Sequence, residues 1–283
     1  MIQKRIAAIH DISGIGKCSL TVALPICSAA GLETAVIPTA LLSNHTGTCF
    51  NSYTFCDLTD QIMPIADAWK KEGLRFDAFY SGYLGSVRQT DLVSEVISLL
   101  KNEDSVVIVD PVMGDNGRLY SGIDEALPSA MLTLCNSADI IIPNITEACL
   151  LLGYGYKAAP YSKAYIETLL RELYAKCGAK VVLTGVTFDE RKVGAASFDG
   201  DNITYSFSQK VDRIFHGTGD VFASSLVAAY LNGKTLTEAT DFAVDFTYNC
   251  IKATIESDDP RDYGVCFETQ LPKLIKFLEK NNG

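Results

Sequence analysis

The chain has 283 residues, of which 48% are hydrophobic and 20% charged, and its formal net charge is −10. That composition suits a globular protein with a substantial core, as one large α/β domain or two smaller ones. An acid excess without a Lys/Arg run argues against a nucleic-acid or anionic-membrane surface, and leaves room for a local basic site for a small phosphate compound.

The opening segment MIQKRIAAIH has too short an apolar run for a signal peptide, and no stretch reaches transmembrane length, so a cytoplasmic location is expected. Nine cysteines without a C-x-x-C pair fit reduced thiols better than disulfides or zinc. The first strand is predicted at Ile6–His10. The turn after it, HDISGIGKCS, resembles a phosphate loop at first sight. It fails that pattern because the residue five before Gly16 is Asp11 rather than glycine, and it fails G-x-G-x-x-G because Ser19 stands at the third glycine.

A helix is predicted over Cys18–Ala30, closed by Gly31, and a strand at Thr34–Ile37. The Thr-, Ser- and Asn-rich stretch from Pro38 to Asn51 reads as a loop, and 38–56 as a flap over a site. A helix over Asp57–Glu72, interrupted at Pro64 and closed by Gly73, leads to a strand at Ala78–Ser81. Next come a helix over Thr90–Lys101 with Thr90 as its cap, a strand at Val106–Val109 and a helix over Ile123–Cys135. Strands at Ile140–Ile142 and Val181–Leu183 flank a helix over Ser162–Cys177 capped by Ser162. Ala195–Phe207 reads as a hairpin around Asp199-Gly200-Asp201-Asn202, and the chain is mainly helical from Gly217 onward. Short apolar strands alternating with helices predict a doubly wound, mostly parallel α/β sheet flanked by helices on both faces. With no linker, repeat or low-complexity tract, residues 1–283 read as one domain.

Open α/β sheets bind ligands beyond the carboxyl ends of their strands. Polar residues and glycines gather there: Asp11 and Ser13-Gly14; Gly82 to Gly85; Asp110 to Asp115; Pro143 to Glu147; and Thr184-Gly185. The sharpest segment is His216-Gly217-Thr218-Gly219-Asp220, followed by an apolar helix. Free backbone N–H groups at a helix start form an anion hole. An aspartate beside it can take a proton from an attacking hydroxyl. A plain glycine turn with a dipole-favouring aspartate is the alternative.

Gly217-Thr218-Gly219-Asp220 followed by Val-Phe-Ala resembles the signature of the ribokinase superfamily. Ser43-Asn44-His45-Thr46-Gly47, Ser81-Gly82-Tyr83-Leu84-Gly85-Ser86, Asp110-Pro111-Val112-Met113-Gly114-Asp115 and Pro143-Asn144 with Glu147 narrow the resemblance to the vitamin B6 kinases. These stretches run in the family's order over most of the chain. The resemblance implies a ribokinase-like fold and ATP-dependent phosphorylation of a 5′-hydroxymethyl group. Asp220 would be the base, and Gly217, Thr218 and Gly219 the anion hole. Asp110, Asn144 and Glu147 would lie near the ATP phosphates and Mg²⁺, with Asp110 and Glu147 acting through metal-bound water. Thr184 would contact the nucleotide phosphates, and Asp115 and Tyr120 belong to a loop that covers them. Thr46 and Tyr83 would touch the vitamin ring, and His45 lies in the flap. A monovalent cation and a homodimer belong to the same expectation.

Some of these residues have plainer roles available. Glu147 could serve a helix dipole, Tyr83 could be a packing aromatic, and His10 fits a structural histidine. His216 could orient the anion-hole turn. Lys17 could be a solvated helix-start lysine or reach a phosphate. The family often has serine where this chain has Asp11, so the turn with Asp11 and Ser13 reads as a wall of the ring pocket. Hydroxymethylpyrimidine kinases, which also carry an aspartate near the first turn, are the alternative. A sensor that has lost turnover belongs to a different class, and the intact Asp220 with Gly-Thr-Gly argues against it.

Overall fold

The computed structural model describes residues 3–47, 49–213, 215–258 and 260–279. The chain opens with β1 (Arg5–Ser13), α1 (Leu20–Ala29), β2 (Glu33–Leu42), β3 (Phe55–Asp57) and α2 (Thr59–Lys71). It continues through β4 (Phe76–Ser81), α3 (Val87–Leu100), β5 (Lys101–Val109) and a small hairpin, β6 (Gly114–Asp115) with β7 (Arg118–Leu119). Next are α4 (Leu127–Cys135), β8 (Ile140–Ile141), α5 (Ile145–Leu152), α6 (Lys163–Cys177) and β9 (Lys180–Asp189). The hairpin β10 (Lys192–Phe198) and β11 (Ile203–Gln209) precedes α7 (Thr218–Leu231), α8 (Leu236–Ile255) and α9 (Leu271–Glu279).

Among the described residues the main sheet has nine strands in the order β11-β10-β9-β8-β5-β4-β1-β2-β3. The run from β2 to β9 through β1, β4, β5 and β8 is parallel; β3 and the β10–β11 hairpin are antiparallel additions at the two sides. Alternation along each strand explains why both faces are covered. Ala7, Ile9, Phe79, Val107, Val109 and Ile141 point into one core with α2 to α6. Ile6, Tyr80, Ile108, Ile140 and Val182 point into the other, against α1, α7 and α8. Burying each such side chain contributes roughly 1.5–3 kcal/mol, which makes the sheet a stiff platform for the loops at its ends.

The structure departs from the sequence reading at several places. Pro38–Leu42 is strand rather than loop, so the irregular segment is shorter. Pro38 is tolerated because β2 pairs there with β1, while β3 pairs only with Ala40, Leu41 and Leu42, and proline fits a strand position that lacks a ladder partner on one side. The short strand β3, whose residues are all exposed, was not foreseen. Pro64 sits inside an unbroken α2, since the burial of Ile62 and Ala66 outweighs one missing backbone bond. Thr90 is not a cap: α3 starts at Val87, and the Ser86 side chain accepts from the Gln89 N–H. The predicted helix over Ile123–Cys135 begins at Leu127. Ser162 does cap α6, and Gly31 and Gly73 adopt φ of 82° and 71° after their helices. Replacing Ser86 with alanine is expected to lower stability by about 1 kcal/mol in urea unfolding, whereas a cap at Thr90 would leave the Ser86 variant unchanged.

Candidate active site

The strand ends and the start of α7 converge. α7 is apolar almost all round and buried from Val221 to Ala229, so its N-terminus is fixed with respect to the sheet. Gly217 takes the left-handed conformation, φ 72° and ψ 5°, and no side chain caps the helix. A Cβ at Gly217 would overlap the Lys17 carbonyl oxygen, whereas one at Gly219 would meet nothing within 4 Å. The first-turn N–H groups have no intrahelical carbonyl partner, and there is open space beside Gly219. Thr218 turns its hydroxyl back to the Phe215 carbonyl at 3.4 Å.

Asp220 lies in this first turn. Burial of its carboxyl pushes it up to about 7, opposed by a hydrogen bond from the Ser19 N–H and reinforced by the charge of Asp11. Asp110, buried at the end of β5, is raised well above the carboxylate range by burial, with Glu147 and Asp220 adding to it. Glu147 is held up at about 8 by burial, against the backbone N–H groups of Asn144, Met113 and Gly114 that bind it. The bonds from Asn144 and Met113 measure 2.8 and 3.1 Å. Asn144 completes the capping box of α5, accepting from the Glu147 N–H, and donates to the Gly114 carbonyl at 2.9 Å. Glu147 thus does both things the sequence allowed: it starts a helix, and it anchors the loop that carries Asp110 to Asp115.

Asp115 is exposed on β6 and accepts from the Asn116 backbone and side chain. The Tyr120 hydroxyl is raised by burial and then by the charges of Glu147, Asp115, Asp110 and Asp220. Thr184, midway along β9, bridges to Asn144 in the loop after β8. On the other side, Asp11 is buried within β1, its carboxyl raised by burial, with Ser19 acting the other way. Tyr83 is raised by burial and then by Asp11 and Tyr53. Ser13 is buried near Cys18, with 3.7 Å between Oγ and Sγ.

His45 accepts from the Gly47 N–H at 2.9 Å and lies 4.8 Å from the His216 ring, so the flap touches the anion-hole turn. Thr46 is exposed on that flap, and Thr48 lies outside the described residues. The Lys17 Nζ pairs with Glu268 at 2.8 Å, and its N–H donates to the Tyr263 carbonyl. His10 is fully buried with its ring edge-on to Tyr80 at 4.4 Å, and burial pushes it down to about 3, as suits a structural histidine. Two contributors escaped the sequence reading. Ser19 acts against the burial that raises the carboxyls of Asp11 and Asp220. Buried Gln89 ties the Tyr83 loop to β2 and α2, accepting from Gly85 N–H and donating to Thr39 and Thr59. The Ser86-x-x-Gln89 spacing was the available signal.

The phosphomethylpyrimidine kinase family model matches residues 29–261. Pyridoxal kinase from Lactobacillus plantarum has a TM-score of 0.89 at 30% identity, covering 98% of this chain and 99% of that one. The chain belongs to the pyridoxal kinase family of the ribokinase-like superfamily. A Bacteroides thetaiotaomicron structure named as a phosphomethylpyrimidine kinase, in an orthorhombic form with pyridoxal, has a TM-score of 0.89 at 38% identity and covers 96% of each chain. The pyridoxine/pyridoxal/pyridoxamine kinase of Bordetella avium is 28% identical over 258 residues, 86% of this chain and 83% of that protein. The nine-stranded sheet and its helices are those of a kinase.

Glu147 is the cleanest probe of the acidic centre. A carboxyl raised in the folded state contributes most below its ordinary value of 4.5 and loses that contribution as pH rises through about 8. Glu147→Gln keeps an acceptor at the capping-box position and cannot ionise. In thermal melts without ligands it is expected to gain on the wild type steadily across that window, and a constant difference would show that Glu147 is not held up by burial.

Proposed function

We propose that the protein transfers the γ-phosphoryl group of ATP to the 5′-hydroxymethyl group of a vitamin B6 vitamer, with Asp220 as base. The carrying observation is the raised carboxyl of Asp220 beside the open N-terminus of α7. A base poised near the working pH is efficient because it is largely unprotonated yet still basic enough to accept a proton. The hydroxymethyl group approaches Asp220, which takes the hydroxyl proton as its oxygen attacks. The N–H groups from Gly217 to Gly219 hold the charge spread over the transferring phosphoryl oxygens. Asp11, Ser13, His45, Thr46 and Tyr83 wall the ring side, and Asp115, Tyr120, Asn144 and Thr184 surround the nucleotide phosphates.

Mg²⁺ bound with the triphosphate neutralises charge on its oxygens. The donors fit an ion that arrives with ATP: among the described residues no three His, Cys, Asp or Glu side chains form a ready metal cage. Asp110 and Glu147, buried and raised by their surroundings, would hold such an ion through water, since Mg²⁺ keeps much of its hydration. A cytoplasmic homodimer belongs to this reading, and Leu41, Tyr53 and Phe55 are exposed near β3 for such an interface. Phosphorylation of a hydroxymethylpyrimidine is the second reading. It is favoured by Asp11, whose carboxylate can accept from an exocyclic amine.

ADP release with Mg·ATP, measured separately with pyridoxal, pyridoxamine, pyridoxine and hydroxymethylpyrimidine and followed by product mass, decides between the two. A B6 vitamer turned over well above the pyrimidine supports the first reading, and turnover of the pyrimidine alone replaces it. Because Asp220 must be unprotonated to act, kcat/KM for the vitamer is expected to rise with pH through about 7 and then level off. Asp220→Asn is expected to lower kcat by about 10²–10⁴-fold with little change in the KM for ATP. Near wild-type turnover by that variant would remove Asp220 from the chemical step.

A further inference from the structure

The segment between β2 and β3 is held at its base by backbone. The Gly14 N–H donates to the Leu42 carbonyl at 2.8 Å and the Ile15 N–H to the Ser43 carbonyl at 3.1 Å, which prolongs the β1–β2 ladder. The His45 N–H donates to the Ile15 carbonyl at 2.8 Å, and a Cβ at Gly16 would stand only 2.7 Å from the His45 Cβ. The His45 backbone is thus seated on the turn after β1, and its side chain crosses to the start of α7. There its ring lies 4.8 Å from that of His216, the planes inclined at 50°. Both rings close on Gly47: a Cβ there would stand 2.6 Å from His45 Nδ1 and 2.8 Å from His216 Cε1. The Gly47 N–H donates to His45 Nδ1 at 2.9 Å, so the proton of the neutral ring is on Nε2. Among the described residues no carboxylate forms an ion pair with either imidazole. Of the cations on the adjoining segments, Lys17 is engaged by Glu268 and Arg213 by Asp262. The other titratable groups on these elements are Cys49, 3.9 Å from the Gly47 carbonyl, Tyr263, stacked on Phe50, Asp11 on β1, and Asp220 in the first turn of α7.

We propose that His216 is a positioning residue: its ring and that of His45 close together on Gly47 and latch the flap onto the start of α7. The inference rests on the reading of this segment as a flap over the ring pocket. Because α7 is fixed by its buried length, losing the contact frees the flap rather than the helix. The latch also senses acid. Protonating His45 places a proton on Nδ1 opposite the Gly47 N–H, so two donors face each other and the bond is lost. The same proton puts a cation 4.8 Å from the His216 ring, in a half-buried setting where salt screens it little. Burial, and then the charge of His216, hold His45 below its ordinary value of 6.5, so the closed flap binds fewer protons than the open one. Closure is therefore favoured above 6.5 and is lost as pH falls through the lowered value.

Exchange of the residue-47 amide with water, measured by NMR and compared with an unstructured peptide at the same pH, reads the latch without turnover. In the wild type its protection is expected to fall by about tenfold for each pH unit once His45 ionises, the limit for one linked proton. At mildly alkaline pH, His216→Ala is expected to lose protection about three- to tenfold, the worth of one ring contact. Its KM for the vitamer should rise by a similar factor, with kcat and the KM for ATP little changed. His216→Phe keeps an aromatic ring and should restore both the protection and the KM at that pH. Gly47→Ala, whose methyl forces the rings apart, should match His216→Ala. An amide equally protected in alkali and in mild acid, or wild-type protection in His216→Ala, overturns the proposal. So does a His216→Phe protein that melts like the wild type and is as unprotected as His216→Ala. A wild type silent with every vitamer removes the functional reading, and protection lost in His216→Ala and regained in His216→Phe would still support the latch.

Discussion

Three buried carboxylates and a half-buried fourth at one end of a parallel sheet set the terms for the rest of the molecule. Asp11, Asp110, Glu147 and Asp220 are all raised by burial, and Asp110 is pushed further by two of the others. Glu147 among them is held by backbone, accepting from the N–H groups of Asn144 and Met113. Such an arrangement costs folding free energy as the groups ionise, and under the proposed function a cation arriving with the triphosphate would offset that cost. The instability is thus placed where charge has to be received.

The fold supplies the rigidity that this strain needs. The parallel strands end on one side, and α7 lies across them with its positive end aimed at the acidic centre. Around that end, three distant stretches of chain meet. The turn after β1 packs its Lys17 carbonyl against Gly217 and its Lys17 side chain on Glu268. The flap brings His45 to His216, and Phe50 stacks on Tyr263 at 5.6 Å. The first-strand turn, the flap and the C-terminal segment therefore brace the same helix start, which is why Gly217 has no room for a side chain.

Much of the sheet was legible because its strands are short apolar runs, and alternation into two cores demands that pattern. The helix ends at Gly31 and Gly73 were legible through glycine's freedom at positive φ, and the hairpin through Asp199, whose carboxylate accepts from the N–H groups of Asp201 and Asn202. The extension of β2 past Pro38 was hidden because proline reads as a breaker, and only the lack of a partner strand at that point permits it. Thr90 was misread because Ser86, four residues earlier, lay in a glycine-flanked stretch whose turn character masked the cap. In the site, Gly217 to Asp220, Asp110 and Asn144 to Glu147 stood out because anion binding and charge need particular residue types in sequence. Gln89 did not. It reads as an ordinary helix residue, and its bonds to Thr39 and Thr59 run to distant stretches of chain.

The most direct measurement is a crystal structure of the protein with ADP, a planar metal-fluoride mimic of the transferring phosphoryl group, Mg²⁺ and pyridoxal. The fluoride group is expected against the N–H groups of Gly217 to Gly219, with a carboxylate oxygen of Asp220 within hydrogen-bond distance of the 5′-oxygen and the ring between Asp11 and Tyr83. A mimic bound away from the start of α7, or a 5′-oxygen out of reach of Asp220, would contradict the assignment of base and anion hole.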